Sequence, residues 1–356
     1  MITVNDGIFA GIDTHRDTYA IATCDTFGTS LKTAEFKTTK KGISSLLTWL
    51  QKQGDVSAVG VECTGSYGKG VTASLQKIGI NVLEVTSPVK KERRSKGKND
   101  EMDAISAART ARDYVYGGTR EANACVSKDR TSEIEQIRVV KTAYDSAKKM
   151  KTQTINAFKA AIIDAPEELR DSLRGLSTLM QVKKCARMHP DAGKMQTFYS
   201  KTVLKREALR VLQLDEEIKD YKKLLDEFAN THLKNLMKCQ QIGSVSAVQF
   251  FLSSGANIER FENEAHFAAH CGVSPVPASS GLHSHMRLSR AGDRKANSAL
   301  YMIAIGRMGK DNRTKAYVEK KISEGKTKKD AIRSLKRYIA REVFRALKKD
   351  LEIFCN

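Results

Sequence analysis

Four carboxylates stand at positions where a fold could gather them around a cation. Asp13 closes the apolar run Ile8-Phe9-Ala10-Gly11-Ile12, and Glu62 closes Val56-Ser57-Ala58-Val59-Gly60-Val61. Asp100 and Asp103 are three residues apart in a helical stretch, a spacing that puts both on one face. Acids at the carboxyl ends of strands lie on the edge where α/β sheets build their sites. Brought together, such groups repel one another and resist ionisation unless a cation neutralises them. Mg2+ suits this role because it takes hard oxygen ligands and also offsets phosphate charge. A pair of such ions can activate an attacking oxygen and stabilise a leaving one in phosphodiester cleavage. Each acid also has a local reading. Asp13 can cap a turn, Glu62 can cap the helix after Thr64-Gly65-Ser66, and Asp100 suits a helix amino end that favours negative charge. The combination carries the inference.

A second chemical feature lies far along the chain. Ser279-Ser280-Gly281 is followed by His283, His285, Arg287, Arg290, Arg294 and Lys295. Taken alone, Ser-Gly marks a turn. A serine oxygen attacks only after a base or metal removes its proton, and a phosphodiester needs cations to accept charge at phosphorus. The arginines and Lys295 can do the second task, and metal held by the acids can do the first if the two regions meet. Lys96 and Lys98, just ahead of the paired acids, add phosphate-binding capacity. The pairs His283/His285 and His266/His270 lack the third and fourth ligands that zinc takes, so they read as structural or DNA-contacting.

The elements that must position these groups begin with alternating strands and helices. Strands are expected at Ile8–Asp13, Tyr19–Thr23, Ala34–Thr38, Val56–Glu62 and Asn81–Val85, with helices at Gly42–Gln53, Tyr67–Ile78 and Asn99–Arg112. The order is a three-strand meander followed by parallel additions. Acids after the first and fourth strands, with an i,i+3 pair on a later helix, form an RNase H-like layout. Two long apolar stripes follow, from Ile134 to Ala161 and from Leu204 to Phe228, reading either as core helices or as a projecting coiled-coil arm. Beyond them, Gln241-Ile242-Gly243-Ser244 reads as a turn and Phe261–His270 as a helix. The two prolines of Gly272–Pro277 predict a loop, and Asn297–Arg307 and Lys328–Lys348 read as basic helices.

The bulk numbers point to a polyanionic partner. The 356 residues carry a formal charge of +20, and residues 281–349 hold twenty Lys/Arg against six Asp/Glu. Mixed solvated faces usually carry both signs, and the basic segment has no Trp to anchor it in lipid, so nucleic acid is preferred to a membrane. No apolar run approaches the roughly 18 residues of a spanning helix, and Met1–Asp6 lacks the regions of a signal peptide, so a cytoplasmic, nucleoid-associated protein is expected. Seven cysteines stand singly with no C-x-x-C pair, which suits reduced thiols.

Several of these motifs, in order over nearly the whole chain, resemble the insertion-sequence DEDD transposases, the one-ten family related to the Piv invertases. They are Gly11-Ile12-Asp13, Glu62-x-Thr64-Gly65, Lys98-Asn99-Asp100-x-x-Asp103-Ala104, Asp164-Ala165-Pro166-Glu167, Phe261, Gly272-Val273-Ser274-Pro275, Ser280-Gly281 and Arg290-x-Gly292-Asp293-Arg294. The chain departs from the glycine-rich hairpin of that family at Gln241-Ile242-Gly243-Ser244. The resemblance implies a RuvC-like domain over residues 1–125 that holds Mg2+ through Asp13, Glu62, Asp100 and Asp103. It implies a helical, coiled-coil region over 126–235 and a small helical transposase domain over 236–356 bearing the nucleophile Ser280. It further implies a phosphoserine link to DNA, composite sites built by a dimer or tetramer, and a noncoding bridge RNA that selects donor and target DNA by pairing. Two other readings compete: a RuvC-like structure-specific endonuclease in which water attacks, and a non-enzymatic DNA-binding protein.

Overall fold

The computed structural model describes residues 7–62, 67–85, 100–117, 124–130, 132–277, 286–289 and 292–354. Two compact units emerge, one formed by residues 1–135 together with 250–356 and the other by residues 136–249.

The first unit is built on a mixed sheet of order β3-β2-β1-β4-β5-β6. Its strands are β1 (Ile8–Thr14), β2 (Thr18–Cys24), β3 (Ser30–Lys37), β4 (Val56–Glu62), β5 (Val82–Val85) and β6 (Ala124–Val126). The meander β1-β2-β3 is antiparallel, β4 and β5 add in parallel, and β6 closes the edge antiparallel to β5. The strand β6 was not among the sequence expectations. Side-chain alternation gives each strand two faces. On one face Ala10, Ile12, Tyr19, Ile21, Val59 and Val61 meet Leu46 and Leu50 of α1 (Lys40–Gln51) and Val71 and Leu75 of α2 (Lys69–Lys77). The opposite face, with Phe9, Cys24, Ala58 and Leu83, receives Ala108 and Ala111 of α3 (Asp100–Gly117). Helix α1 starts where it does because Thr39 accepts a hydrogen bond from the Gly42 amide, a capping interaction that satisfies one orphan donor.

Residues 250–356 complete this unit with helices. Contacts to the sheet run through the 3-10 turn Ile258–Arg260. Arg260 Nη1 donates to the Val126 carbonyl at 2.6 Å and lies 3.0 Å from Glu84 Oε2, while Asn257 Nδ2 donates to the Ser127 carbonyl at 3.2 Å. The Pro275–Pro277 segment corrects an expectation. It is not a loop but the strand β7, paired antiparallel with β8 (Met286–Leu288) in a two-stranded sheet. Two prolines two residues apart lose donors on the same side of the strand, which a two-stranded edge tolerates.

The long helices α4 (Ser132–Ile163) and α7 (Met195–His232) supply most of the second unit. Phe158 and Ile162 of α4 share a buried cluster with Leu204, Ala208 and Val211 of α7, joined by Leu169 and Leu173 of α5 (Glu167–Leu173) and Val182 of α6 (Thr178–Ala186). Lys151 of α4 pairs with Asp215 of α7. After α8 (Lys234–Lys238), Gln241 turns the chain into α9 (Ser244–Ser254) with φ of 61°, a left-handed conformation more often held by glycine.

Candidate metal centre

Strand register brings the first two acids side by side. Because β1 and β4 run in parallel with Ile12 opposite Val61, Asp13 and Glu62 are the next residues in step. Thr14 Oγ1 donates to the Glu62 carbonyl at 2.9 Å and ties the two strand ends together. Alternation then decides the face. Phe9, Gly11 and Asp13 on β1, and Ala58, Gly60 and Glu62 on β4, all belong to the side covered by α3.

The helix comes unusually close to that face. A Cβ placed on Gly11 would lie 2.1 Å from the Ala108 amide nitrogen and 2.2 Å from the Ala104 carbonyl oxygen. On Gly60 it would lie 2.4 Å from the Ala107 carbonyl oxygen. Glycines below and alanines above therefore let the α3 backbone rest on the strands, with Ala104 against Ala20 and Ala22. Two side-chain bonds hold the helix along its length. Thr33 Oγ1 donates to Glu101 Oε1 at 2.6 Å, and Arg109 Nε donates to the Gly28 carbonyl at 2.9 Å. The first turn of α3, which carries Asp100, Glu101 and Asp103, is thereby held at the acid-bearing strand ends.

One further side chain completes the cluster. His15 Nε2 lies 3.0 Å from Asp13 Oδ2 and 3.1 Å from Asp100 Oδ2. The donor atoms of Asp13, His15 and Asp100 all fall within 4.8 Å of one another, a grouping able to hold a metal ion. The Asp13 side chain is only 8% exposed, against 33% for His15 and 50% for Asp100. Burial pushes the Asp13 carboxyl above the ordinary carboxylate range, His15 pulls it back, and the nearby charges of Asp103 and Asp100 push it up again. A buried carboxylate among like charges is the environment a cation relieves, and the hard oxygens present suit a divalent ion.

Of the acids singled out from the sequence, Asp13 and Asp100 come within 4.8 Å of one another, each against His15. Asp103 lies one turn along α3, close enough to act on Asp13, and Glu62 lies beside Asp13 in the parallel register. His15 was missed. Its signal was the i,i+2 spacing from Asp13, which keeps two residues on one side of an extended chain. Arg294 and Lys295 open α11 (Arg294–Lys310) and are exposed. Asp293 caps that helix by accepting from the Lys295 and Ala296 amides at 2.8 and 3.0 Å. The backbone of Arg287 lies in β8, while Ser280, Lys96, Lys98, Arg290, His283 and His285 lie outside the described residues. His270, the last residue of α10 (Glu264–His270), engages the Ser253 carbonyl through Nε2 at 2.9 Å and its ring meets Phe261, a structural placement. Cys24, Cys125, Cys185 and Cys271 are free thiols, and the Cys239 thiol donates to the Asn235 carbonyl at 3.4 Å. Among the described residues no helix is long and apolar enough to cross a membrane.

Comparison with known proteins falls on the same two regions. Residues 10–164 match the DEDD transposase model of the IS110 type, and residues 233–319 match the transposase family IS116/IS110/IS902. The chain belongs to the DEDD-type, IS110-family insertion-sequence transposases. It is also 27% identical over 139 residues to an insertion element IS900 uncharacterized 42 kDa protein of Mycobacterium paratuberculosis. That match covers 38% of this chain and 35% of the relative.

Proposed function

We infer that this protein is a transposase that cuts and exchanges DNA strands for an insertion sequence, through a divalent-metal centre and a serine nucleophile. The observation that carries the reading is the convergence of Asp13 and Asp100, with Asp103 and Glu62 beside them, on the α3 face of the sheet within a region matching a DEDD transposase model. The strand order and the acid placement support an RNase H-like, RuvC-like fold for residues 1–125. The long helices α4 and α7 support a coiled-coil role for the middle region, and residues 236–356 are read as the transposase domain.

Asp13, Glu62, Asp100 and Asp103 would hold the ion, Mg2+ in the simplest case. When bound, it supplies a Lewis acid that lowers the cost of charge on phosphate oxygens. The protein's own groups do the rest. Thr14 fixes the Glu62 backbone beside Asp13, and α3 sets the height of the paired acids above the sheet. Ser280 is the proposed nucleophile. Attack by its Oγ would break one phosphodiester bond, form a phosphoserine link, pass the serine proton to a base and release a hydroxyl end. Arg287, Arg290, Arg294, Lys295, Lys96 and Lys98 would position the backbone phosphates. Target choice by base pairing with a noncoding bridge RNA, and composite sites shared between protomers of a dimer or tetramer, complete the proposal.

The test is covalent. Incubation with element-end DNA and Mg2+ should yield a denaturation-resistant protein–DNA adduct, lost in Ser280→Ala while nucleic-acid binding persists. Free ends without an adduct would replace the serine reading with a water-using nuclease. Adduct formation in EDTA would remove the metal from the mechanism.

A further inference from the structure

We propose that His15 is itself a ligand of the metal centre, and that its nitrogen makes the centre prefer Mn2+ to Mg2+. The inference rests on the divalent-cation reading above and adds a donor outside the four-acid pattern. An octahedral ion with bonds of about 2.1 Å holds adjacent donors about 3.0 Å apart, the bond length times √2. His15 Nε2 lies 3.0 Å from Asp13 Oδ2 and 3.1 Å from Asp100 Oδ2, the separations of neighbouring vertices on such a polyhedron. Two hydrogen bonds have the same lengths, so the surroundings must decide between the two roles.

Three features favour a ligand. The ligand atoms of Asp13, His15 and Asp100 all lie within 4.8 Å of one another, so that a single ion can reach all three. Its backbone is fixed, because the His15 amide donates to the Thr18 carbonyl at 3.0 Å and closes the β1–β2 turn. The side chain is one-third exposed, which leaves a solvent path by which an ion and its waters can arrive.

The identity of the donor then bears on the choice of ion. Mg2+ is served by oxygen and gives up its waters reluctantly. Mn2+ accepts the same carboxylates, and as a first-row transition ion it also gains from imidazole nitrogen. A site of acids alone should discriminate little between the two. With His15 in the set, Mn2+ should bind more tightly by about tenfold or more, the scale on which single groups around metal sites tune affinity.

The experiment uses the full-length chain and Mn2+ as the probe. Mn2+ binding is followed by electron paramagnetic resonance, Mg2+ by competition, and the ligand atoms by electron spin-echo modulation from nitrogen-14. Nitrogen modulation is expected in the wild type and should vanish in His15→Gln and His15→Ala, with the Mn2+ preference falling about tenfold and the circular dichroism unaltered. Mn2+ bound without nitrogen modulation, or a preference unchanged in both variants, would overturn the role of His15 and leave the acid centre standing. Failure to bind either ion, or equal binding by Asp13→Asn, would overturn the acid centre as well.

Discussion

Gly11→Ala tests whether close approach of α3 is what assembles the acids. The added methyl would lie 2.1 Å from the Ala108 nitrogen, 2.2 Å from the Ala104 oxygen and 2.7 Å from the Ala107 carbonyl carbon. Non-bonded heavy atoms settle near about 3.5 Å, so relief requires the helix to withdraw by about 1 Å or more. All three obstacles are backbone, and no rotamer change can relieve them. Overpacking costs about 1–3 kcal/mol, and a clash on three backbone atoms belongs at the upper end. For a body of this size about 3 kcal/mol lowers the melting temperature by roughly 6–12 °C. Withdrawal would also carry Asp100 and Asp103 away from Asp13, so divalent-ion affinity should fall by about tenfold or more. The assay pairs thermal unfolding with Mn2+ titration, using Gly309→Ala as the control. Gly309 is an exposed helical position with nothing within 4 Å of an added Cβ, so alanine there should be neutral or stabilising by about 0.5 kcal/mol. A Gly11→Ala protein that melts within about 1 °C of wild type and binds the ion equally well would refute the reasoning.

Two further outcomes follow from the helical part of the first unit. Arg260→Ala removes a side chain only 6% exposed that bonds Glu84 and the Val126 carbonyl, leaving both to find other partners. Since Glu84 is a quarter exposed, the loss should be about 2–3 kcal/mol, below that for a fully buried pair; a change under about 0.5 kcal/mol in denaturant unfolding would show that the contact does not dock these helices. His270 offers a pH test. Burial lowers its pKa, with Arg260 and Lys128 lowering it further and the Ser253 carbonyl and Asp293 raising it. The unfolded chain therefore takes up this proton first as pH falls from the ordinary value of 6.5, so the native state loses stability between there and the lower folded value. Melting temperature should drop from pH 7.5 to 5.5, and His270→Gln should flatten that slope; an unchanged slope assigns the effect elsewhere.

The legible part of the fold is the part written in local pattern. Short apolar runs closed by an acid located β1 and β4, and the three-residue offset paired Asp100 with Asp103, because run length and side-chain direction are local properties. What escaped depended on distant partners. Strand β6 has three residues, too few for a period, and exists because β5 offers an open edge. The helix α12 (Asn312–Ser323) buries only Thr314 and Val318, so it lacks the apolar stripe that marks a helix in sequence; its start is set by Asp311 capping the Thr314 amide. Pro275 and Pro277 deceived for the converse reason, since a residue rule against strands yields to a two-stranded edge. Gly11 and Gly60 looked like ordinary strand residues. Their purpose, room for a helix backbone, appears only once α3 is laid across them.

This layout also bears on how the two proposed parts of the chemistry can be separated. The described donors of the cation cluster lie wholly between Asp13 and Asp103. Their mutual repulsion is offset locally, by His15 and by a helix start at which each acid gains about 0.3–1 kcal/mol when exposed. The described part of that balance lies between Asp13 and Asp103. A Ser280→Ala protein should therefore keep wild-type ion affinity while losing the DNA adduct, whereas Gly11→Ala loses ion affinity with its serine untouched. If Ser280→Ala also weakens the ion, the serine segment contributes to the centre, and the division between an acid-held cation and a distant hydroxyl must be redrawn.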